Sequence, residues 1–272
     1  WLKSRSNAGW HWWTDAVRGN NKAIYPNATN AEGTVSDGIQ SFDSDGFTVG
    51  NNTDLNGSGK TFCSWNWKAG TTSGITTTGS NITPSAYSFN QTSGFSIVYY
   101  SGTGSAGKVA HGLNAIPEMI IIKGITNTQS ENWRVFHHKE SAKRLILNDN
   151  DDAGNSTDFG ANGSGGTITQ DQHYFNIGTD SRVNDSSQNY IAYVFTSKTG
   201  YSKFGSYTGN GNVDGPFIYT GFKPAFLMVK RTNATENWYM KDNKRDPYNE
   251  MNQAVLYANG NAVEDTGGAW LK

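Results

Sequence analysis

Pro117-Glu-Met-Ile-Ile-Ile-Lys123 and Pro224-Ala-Phe-Leu-Met-Val-Lys230 are two versions of one segment, and their likeness decides how the chain is read. Each is a continuous apolar run closed by lysine, the pattern of a strand covered on both faces. Each opens on proline, where a missing N–H does no harm to a strand ladder. Upstream, at the same spacing, Tyr100-Ser-Gly-Thr-Gly104 matches Tyr207-Thr-Gly-Asn-Gly211. Glycines held at 102/209 and 104/211 suit tight turns, where positive φ costs glycine little. Downstream, Glu131-Asn-Trp133 matches Glu236-Asn-Trp238.

A further copy opens the chain. Trp1-Leu-Lys3 corresponds to the ends of the apolar runs, and His11-Trp12 is aligned with Asn132-Trp133. Lys22-Ala-Ile-Tyr-Pro-Asn27 matches Lys143-Arg-Leu-Ile-Leu-Asn148, and Val255-Leu-Tyr-Ala-Asn259 fills that slot near the C-terminus. The later half of the unit also recurs. Gly46-Phe-Thr-Val-Gly50 matches Tyr174-Phe-Asn-Ile-Gly178, and Phe62-Cys-Ser-Trp-Asn-Trp67 matches Tyr190-Ile-Ala-Tyr-Val-Phe195. So many ordered matches make an internally repeated protein. The expected modules span 1–94, 95–200 and 201–272. The first is incomplete at its start, and the last, ending on Trp270-Leu-Lys272, never reaches its Gly-Phe-Thr-Val half. The chain is therefore expected to be an excerpt of a longer repetitive protein, or to have its end modules completed by a neighbouring chain, because an incomplete module exposes strand edges.

Composition agrees with strands. There are 32 Gly among 9 Trp, 13 Tyr and 13 Phe. Turn-forming residues alternating with aromatic and β-branched ones describe short strands joined by polar loops. The expected fold is all-β, with tandem β-sandwich or jelly-roll-like modules. Charge is balanced, 22 Lys plus Arg against 23 Asp plus Glu, which argues against a nucleic-acid partner. No apolar run approaches the roughly 20 residues that span a bilayer, so no membrane insertion is expected. Cys63 is the single cysteine, which leaves no intrachain disulfide and reads as a small buried apolar residue.

Candidate chemistry is thin. Asn148-Asp-Asn-Asp-Asp152 starts like a calcium loop, but Phe159 stands where the closing Glu belongs. The five histidines lack zinc spacing, and Gly163-Ser-Gly165 reads as a flexible loop rather than a nucleophile elbow. Neither metal nor cofactor is expected. Glu131 and Glu236 are repeated carboxylates, but the first copy is assigned Trp10 in that slot, and repetition at matched sites favours structure over a glycosidase pair. Asp15-Ala-Val-Arg18 and Asp242-Asn-Lys-Arg245 share an acid–base pair that the middle copy lacks, Ser141 being aligned with the arginine. Those pairs are expected to order a loop. Trp12, Trp133 and Trp238 are read as core. Their neighbours Trp13, Arg134 and Tyr239 then face the other way, and with Trp10 they form the candidate ligand surface. An interface with a neighbouring module or subunit outweighs a sugar-stacking platform there.

Three groups of strings carry a resemblance: Trp1-Leu-Lys-Ser-Arg-Ser-Asn-Ala-Gly9 with Asp15-Ala-Val-Arg-Gly19, Ser41-Phe-Asp-Ser-Asp-Gly-Phe-Thr-Val-Gly50 with Lys60-Thr-Phe-Cys-Ser-Trp-Asn-Trp-Lys68, and Phe204-Gly-Ser-Tyr-Thr-Gly-Asn-Gly211 with the stretches Gly215–Pro224 and Asp246–Asn249. They resemble a repeat family of tail-fibre and other virion proteins of marine tailed bacteriophages. The resemblance implies a non-enzymatic virion part (tail fibre, head fibre or decoration), assembled in the host cytoplasm. Its expected partners are other virion proteins, copies of itself and host surface glycans. It brings no catalytic residues. A secreted carbohydrate-binding protein or glycan hydrolase is the alternative.

Overall fold

The computed structural model describes residues 1–126, 131–160, 169–246 and 254–267. Gly163-Ser-Gly165, Trp270–Lys272 and the end of the Asp246–Asn249 string lie outside the described residues. The chain is all-β, 35% strand and 4% helix, in several antiparallel sheets with sandwich-like layering. The first copy supplies β1 (Leu2–Ser4), β2 (Trp13–Asp15), β3 (Gly19–Ile24), β4 (Gly33–Thr34), β5 (Ile39–Phe42), β6 (Phe47–Val49), α1 (Thr53–Asn56) and β7 (Phe62–Ser64). The second supplies β8 (Ala86–Asn90), β9 (Phe95–Ser101), β10 (Gly107–Ala110), β11 (Met119–Gly124), β12 (Arg134–His137), β13 (Lys143–Ile146), β14 (Gly154–Asn155), β15 (Tyr174–Ile177), α2 (Ser181–Asn184) and β16 (Asn189–Phe195). The third supplies β17 (Phe226–Lys230), β18 (Trp238–Asp242) and β19 (Leu256–Tyr257). The second copy carries one sheet of order β14-β13-β12-β11-β16-β9-β8. That sheet takes in β8, which pairs with β9, so it reaches back to Ala86.

The repeats do not lie in a row. They close into a ring in which each interface is held by the same bonds. The Glu131 N–H donates to the Thr29 carbonyl at 3.1 Å, Glu236 to Asn150 at 2.8 Å and Gly9 to Asn261 at 2.8 Å. A second set joins Glu32 to Ile125, Ala153 to Thr232 and Glu264 to Arg5, at 3.2, 2.9 and 2.8 Å. A third uses side chains. Trp133 Nε1 donates to the Tyr25 carbonyl at 3.1 Å and Trp238 Nε1 to the Ile146 carbonyl at 2.8 Å. The matching side chain of the first copy is His11, which lies against the Tyr257 backbone. The arrangement is a pseudo-threefold, with the second copy docked on the first, the third on the second and the first on the third.

This register corrects two alignments made from sequence. Asn27, Asn148 and Asn259 each take, on the side-chain carbonyl, the backbone N–H of His11, Trp133 and Trp238. His11, not Trp12, is thus the counterpart of the two tryptophans. Trp12, Arg134 and Tyr239 follow it, and Trp13 answers to Val135 and Met240. The repeated Glu131/Glu236 position falls on Gly9 rather than Trp10, and Glu140 rather than Ser141 occupies the arginine position. The adjacent tryptophans of the first copy explain the slip, since Trp12 matches Trp133 by type while His11 matches it by place.

Three apolar clusters follow from the ring. The central one gathers Trp13, Val135 and Met240 with Ile24, Leu145 and Leu256 from the three copies around the axis. The second fills the space between the large sheet and the β10–β15 pair. The third lies between the first copy's inner strands and β5–β6, and takes in Trp12 and Leu55. Met119 through Gly124 are all buried, as the apolar run predicts, whereas every residue of β17 is only half-buried. The difference is the covering layer, which the described residues of the third copy lack.

Candidate functional site

Of the four residues singled out as a ligand surface, two are inside the protein. Trp13 is 3% exposed. It stacks on Trp1 at 4.7 Å, Tyr193 at 4.3 Å and Trp133 at 5.6 Å between ring centroids, so it is the middle of the central core and no platform. Arg134 is buried against Asp158 at 3.5 Å, with Arg144 on the same carboxylate at 3.7 Å. Burial pushes the Asp158 carboxyl up to about 6 and the Arg134 guanidinium down, because desolvation outweighs the attraction between them. Tyr239 is half-buried, its hydroxyl donating to Glu236 at 2.9 Å, and burial first, then this bond, pushes the phenol up. Trp10 alone is well exposed, at 44%, and lies over Tyr25 at 4.6 Å. Trp10 and Trp13 belong to the first copy, Arg134 to the second and Tyr239 to the third, and with Trp13 and Arg134 buried the four form no common surface.

The acid–base pairs are interface clamps. Arg18 Nε meets Asp15 at 2.6 Å, its Nη1 reaches Glu32 at 3.3 Å and its Nη2 donates to the Trp13 carbonyl at 3.0 Å and the Tyr193 hydroxyl at 3.3 Å. Arg245 repeats the set with Asp242 at 2.7 Å, Glu264 at 2.8 Å and the Met240 carbonyl at 3.0 Å. Both arginine side chains are buried, at 0% and 3% exposure. Tyr193 donates to Asp15 at 2.7 Å across one interface, and Trp65 Nε1 donates to Asp242 at 3.1 Å across another. Each lysine ending an apolar run is spent on carbonyls. Lys3 bonds Ser4 and Asn7, Lys123 bonds Thr29 and Glu131, and Lys230 bonds Asn150 and Arg231. The Asn148–Asp152 stretch is part of this contact, Asn150 accepting from Lys230 and Glu236. Among the described residues, no group of three His, Cys, Asp or Glu could hold a metal ion, and no helix is long and apolar enough to cross a membrane. An open groove of about 290 Å³ is lined by Val17, Arg18, Lys22, Glu32, Ser85 and Tyr99. Its arginine is committed to the clamp, and Lys22 bonds Thr34 at 2.8 Å.

Exposed apolar surface concentrates elsewhere. Tyr207, Val213, Phe217, Ile218 and Tyr219 are 47%, 76%, 89%, 43% and 77% exposed, all on the strandless arm between Phe204 and β17. Lone exposed apolar residues are ordinary, but this many on one segment marks an interaction surface. Two strand edges lie open with it. Among the described residues β7 pairs only with β1 and β17 only with β18, whereas β16 pairs with both β11 and β9. The arm holds the repeat of Tyr100–Gly104, whose glycines suit tight turns, and Gly211 has the positive φ of such a turn. Among the described residues the arm pairs with no strand.

These features define an all-β protein of three repeated units closed into a ring, with one exposed apolar arm. The chain belongs to the family described as a domain of unknown function, DUF7483, which it matches over residues 1–271. No curated protein and no solved structure is detectably similar to it.

Proposed function

We propose that the chain is a non-enzymatic structural protein of a bacteriophage particle, a tail fibre, head fibre or decoration, that assembles with copies of itself and other virion proteins and contacts host surface glycans. One observation carries the assembly role: the arm between Phe204 and β17 exposes Tyr207, Val213, Phe217 and Tyr219, an apolar surface of the kind that contacts a partner. The virion address rests on the resemblance of the repeat strings to tailed-phage proteins. A second reading, a secreted carbohydrate-binding protein, draws on Trp10 over Tyr25, an exposed aromatic face suited to a sugar ring. Antibody against the chain, followed by electron microscopy of purified particles of its source virus, tests the address. Labelling at a tail or head site is expected, and unlabelled particles would overturn it. Incubation with host polysaccharide tests the chemistry, where released oligosaccharide would sink the non-enzymatic role.

A further inference from the structure

One group of charges lies wholly inside the second copy and is only half bonded. Asp158 follows β14, and its side chain is 1% exposed. It faces Arg134 of β12 at 3.5 Å and Arg144 of β13 at 3.7 Å, while Arg144 also donates to the Asn155 carbonyl. The carboxyl of Asp180, the cap of α2, lies within hydrogen-bond reach of the Asp158 carboxyl. Asp180 accepts the Arg182 N–H at 2.9 Å and pairs with the Arg182 guanidinium at 3.2 Å, and Arg182 Nε is 3.5 Å from Glu131.

Two features of this group go beyond a plain ion pair. Two carboxyls in hydrogen-bond contact cannot both be charged, so one proton lies between them. Arg134 Nε, Arg134 Nη1 and Arg144 Nε are buried, and among the described residues none of them has an acceptor. A buried N–H without an acceptor is costly. Both Nε atoms stand just beyond bonding distance of the same Asp158 oxygen. The first copy makes a similar cap contact without a borrowed proton. Asn52, the cap of α1, accepts the Asp54 N–H on Oδ1 at 3.0 Å and donates from Nδ2 to Asp37 at 3.2 Å. There the carboxamide supplies the hydrogen. With aspartate as its cap, the second copy has to take that hydrogen from solvent.

We infer that Asp158 is a two-position switch: a shared proton fastens it to Asp180, and on losing that proton it turns from Asp180 onto the unused N–H groups of Arg134 and Arg144. The proton leaves to solvent, and both carboxyls are then anions that repel each other. Two charge-assisted bonds to guanidinium replace the one that was lost. Burial pushes the Asp158 carboxyl up to about 6 and outweighs the pull of Arg134. Asp180 is held below the ordinary range by the Arg182 N–H and the Asp158 bond, although burial works against it. Stability from the shared proton is therefore whole below the ordinary value of 3.8 and is lost as pH rises through about 6. The Asp158 carbonyl accepts the Gly178 N–H at 2.7 Å, and β14 leads back from it to Ala153, whose N–H bonds Thr232 of the third copy at 2.9 Å. The switch thus acts on the edge strand of the large sheet, next to the second interface. It holds whether or not the virion and assembly readings do.

NMR titration of the full chain, with 13C-labelled aspartate and 15N-labelled arginine, reads both positions. One aspartate carboxyl is expected to titrate near pH 6, with the Arg134 Nε–H proton moving downfield over the same range. Asp180→Asn installs the cap that the first copy already uses, and is expected to lower that midpoint by about one pH unit or more. Asp158→Asn imitates the protonated carboxyl and is expected to abolish both transitions. An Asp158 carboxyl titrating at the ordinary 3.8 in the unaltered chain would overturn the switch. So would an Arg134 signal indifferent to pH across that transition, or an Asp180→Asn chain whose midpoint does not move.

Discussion

His11 is the ring-closing counterpart of Trp133 and Trp238, and it makes the interface between the first and third copies sensitive to acid. Its side chain is fully buried, with Nδ1 accepting from Trp1 Nε1 at 2.8 Å. Nε2 therefore carries the proton of the neutral ring and faces the Tyr257 backbone. Burial holds the imidazole down to about 3, against 6.5 for the free side chain. The unfolded chain binds this proton first, so the stability His11 contributes is whole above pH 6.5 and is lost as pH falls toward 3. At about 1.4 kcal/mol per pH unit, going from pH 7 to pH 5 costs about 2 kcal/mol from this residue alone. His111 and His137, each pushed down to about 4 chiefly by burial, steepen the same fall. Asp158, raised to about 6, opposes it, since protonation then favours the folded state. A His11→Phe comparison cancels these shared contributions. Phenylalanine does not titrate, and the loss of the Trp1 acceptor is independent of pH. Urea unfolding at pH 7, 6 and 5 is expected to show the gap between wild type and variant moving by about 2 kcal/mol in the variant's favour. A gap that stays constant over that range would refute the buried neutral histidine.

The clamps and the central stack give two further expectations. Arg18→Met leaves Asp15 buried without its cation and is expected to cost about 3–5 kcal/mol in urea unfolding, whereas Arg182→Met, at an arginine 44% exposed, is expected to cost under about 1 kcal/mol; equal losses would remove the clamp's role. Trp13→Ala is expected to destabilise the chain by about 3–5 kcal/mol, as core truncations of large rings do, while Trp10→Ala is expected to leave the unfolding midpoint nearly unchanged. A Trp13 variant as stable as wild type would displace that ring from the core.

Strand positions were legible because each copy repeats its neighbours and because apolar runs ending in lysine have one structural meaning. The caps at Asn27, Asn148 and Asn259 were aligned correctly for the same reason, although their bonds were not foreseen. Register within the first copy was less legible. Matching tryptophan to tryptophan set Trp12 on Trp133, and a slip of one residue along a strand sends every side chain to the opposite face. Trp13 was thereby assigned to the surface when it is the centre of the core, and Arg134 was treated as exposed when Asp158 pairs it inside. The corrective signal was present in the acid–base pairs. His11 stands as far before Asp15 as Trp238 does before Asp242, and a buried ion pair tolerates less displacement than an aromatic ring. Ring closure could not be read at all, because its bonds are mostly between backbone groups, which carry no residue signature.

The clamps also show why three unequal copies remain compatible with one ring. In the first and third units an acid, an arginine and a glutamate meet: Asp15, Arg18 and Glu32, then Asp242, Arg245 and Glu264. In the second unit the corresponding residues are His137, Glu140 and Ala153. Across the first two interfaces a strand of the β7/β16 type sends a donor to the acid, Tyr193 to Asp15 and Trp65 to Asp242. Facing His137, the third interface has no such strand among the described residues, since β17 lacks the neighbour that β11 has in β16. A buried carboxylate is costly without both its arginine and its donor. The unit that lacks the donor strand is thus matched by the unit that lacks the carboxylate. Among the described residues, His137 and Glu140 of the middle copy thus place no aspartate–arginine pair at the one interface where no donor strand stands.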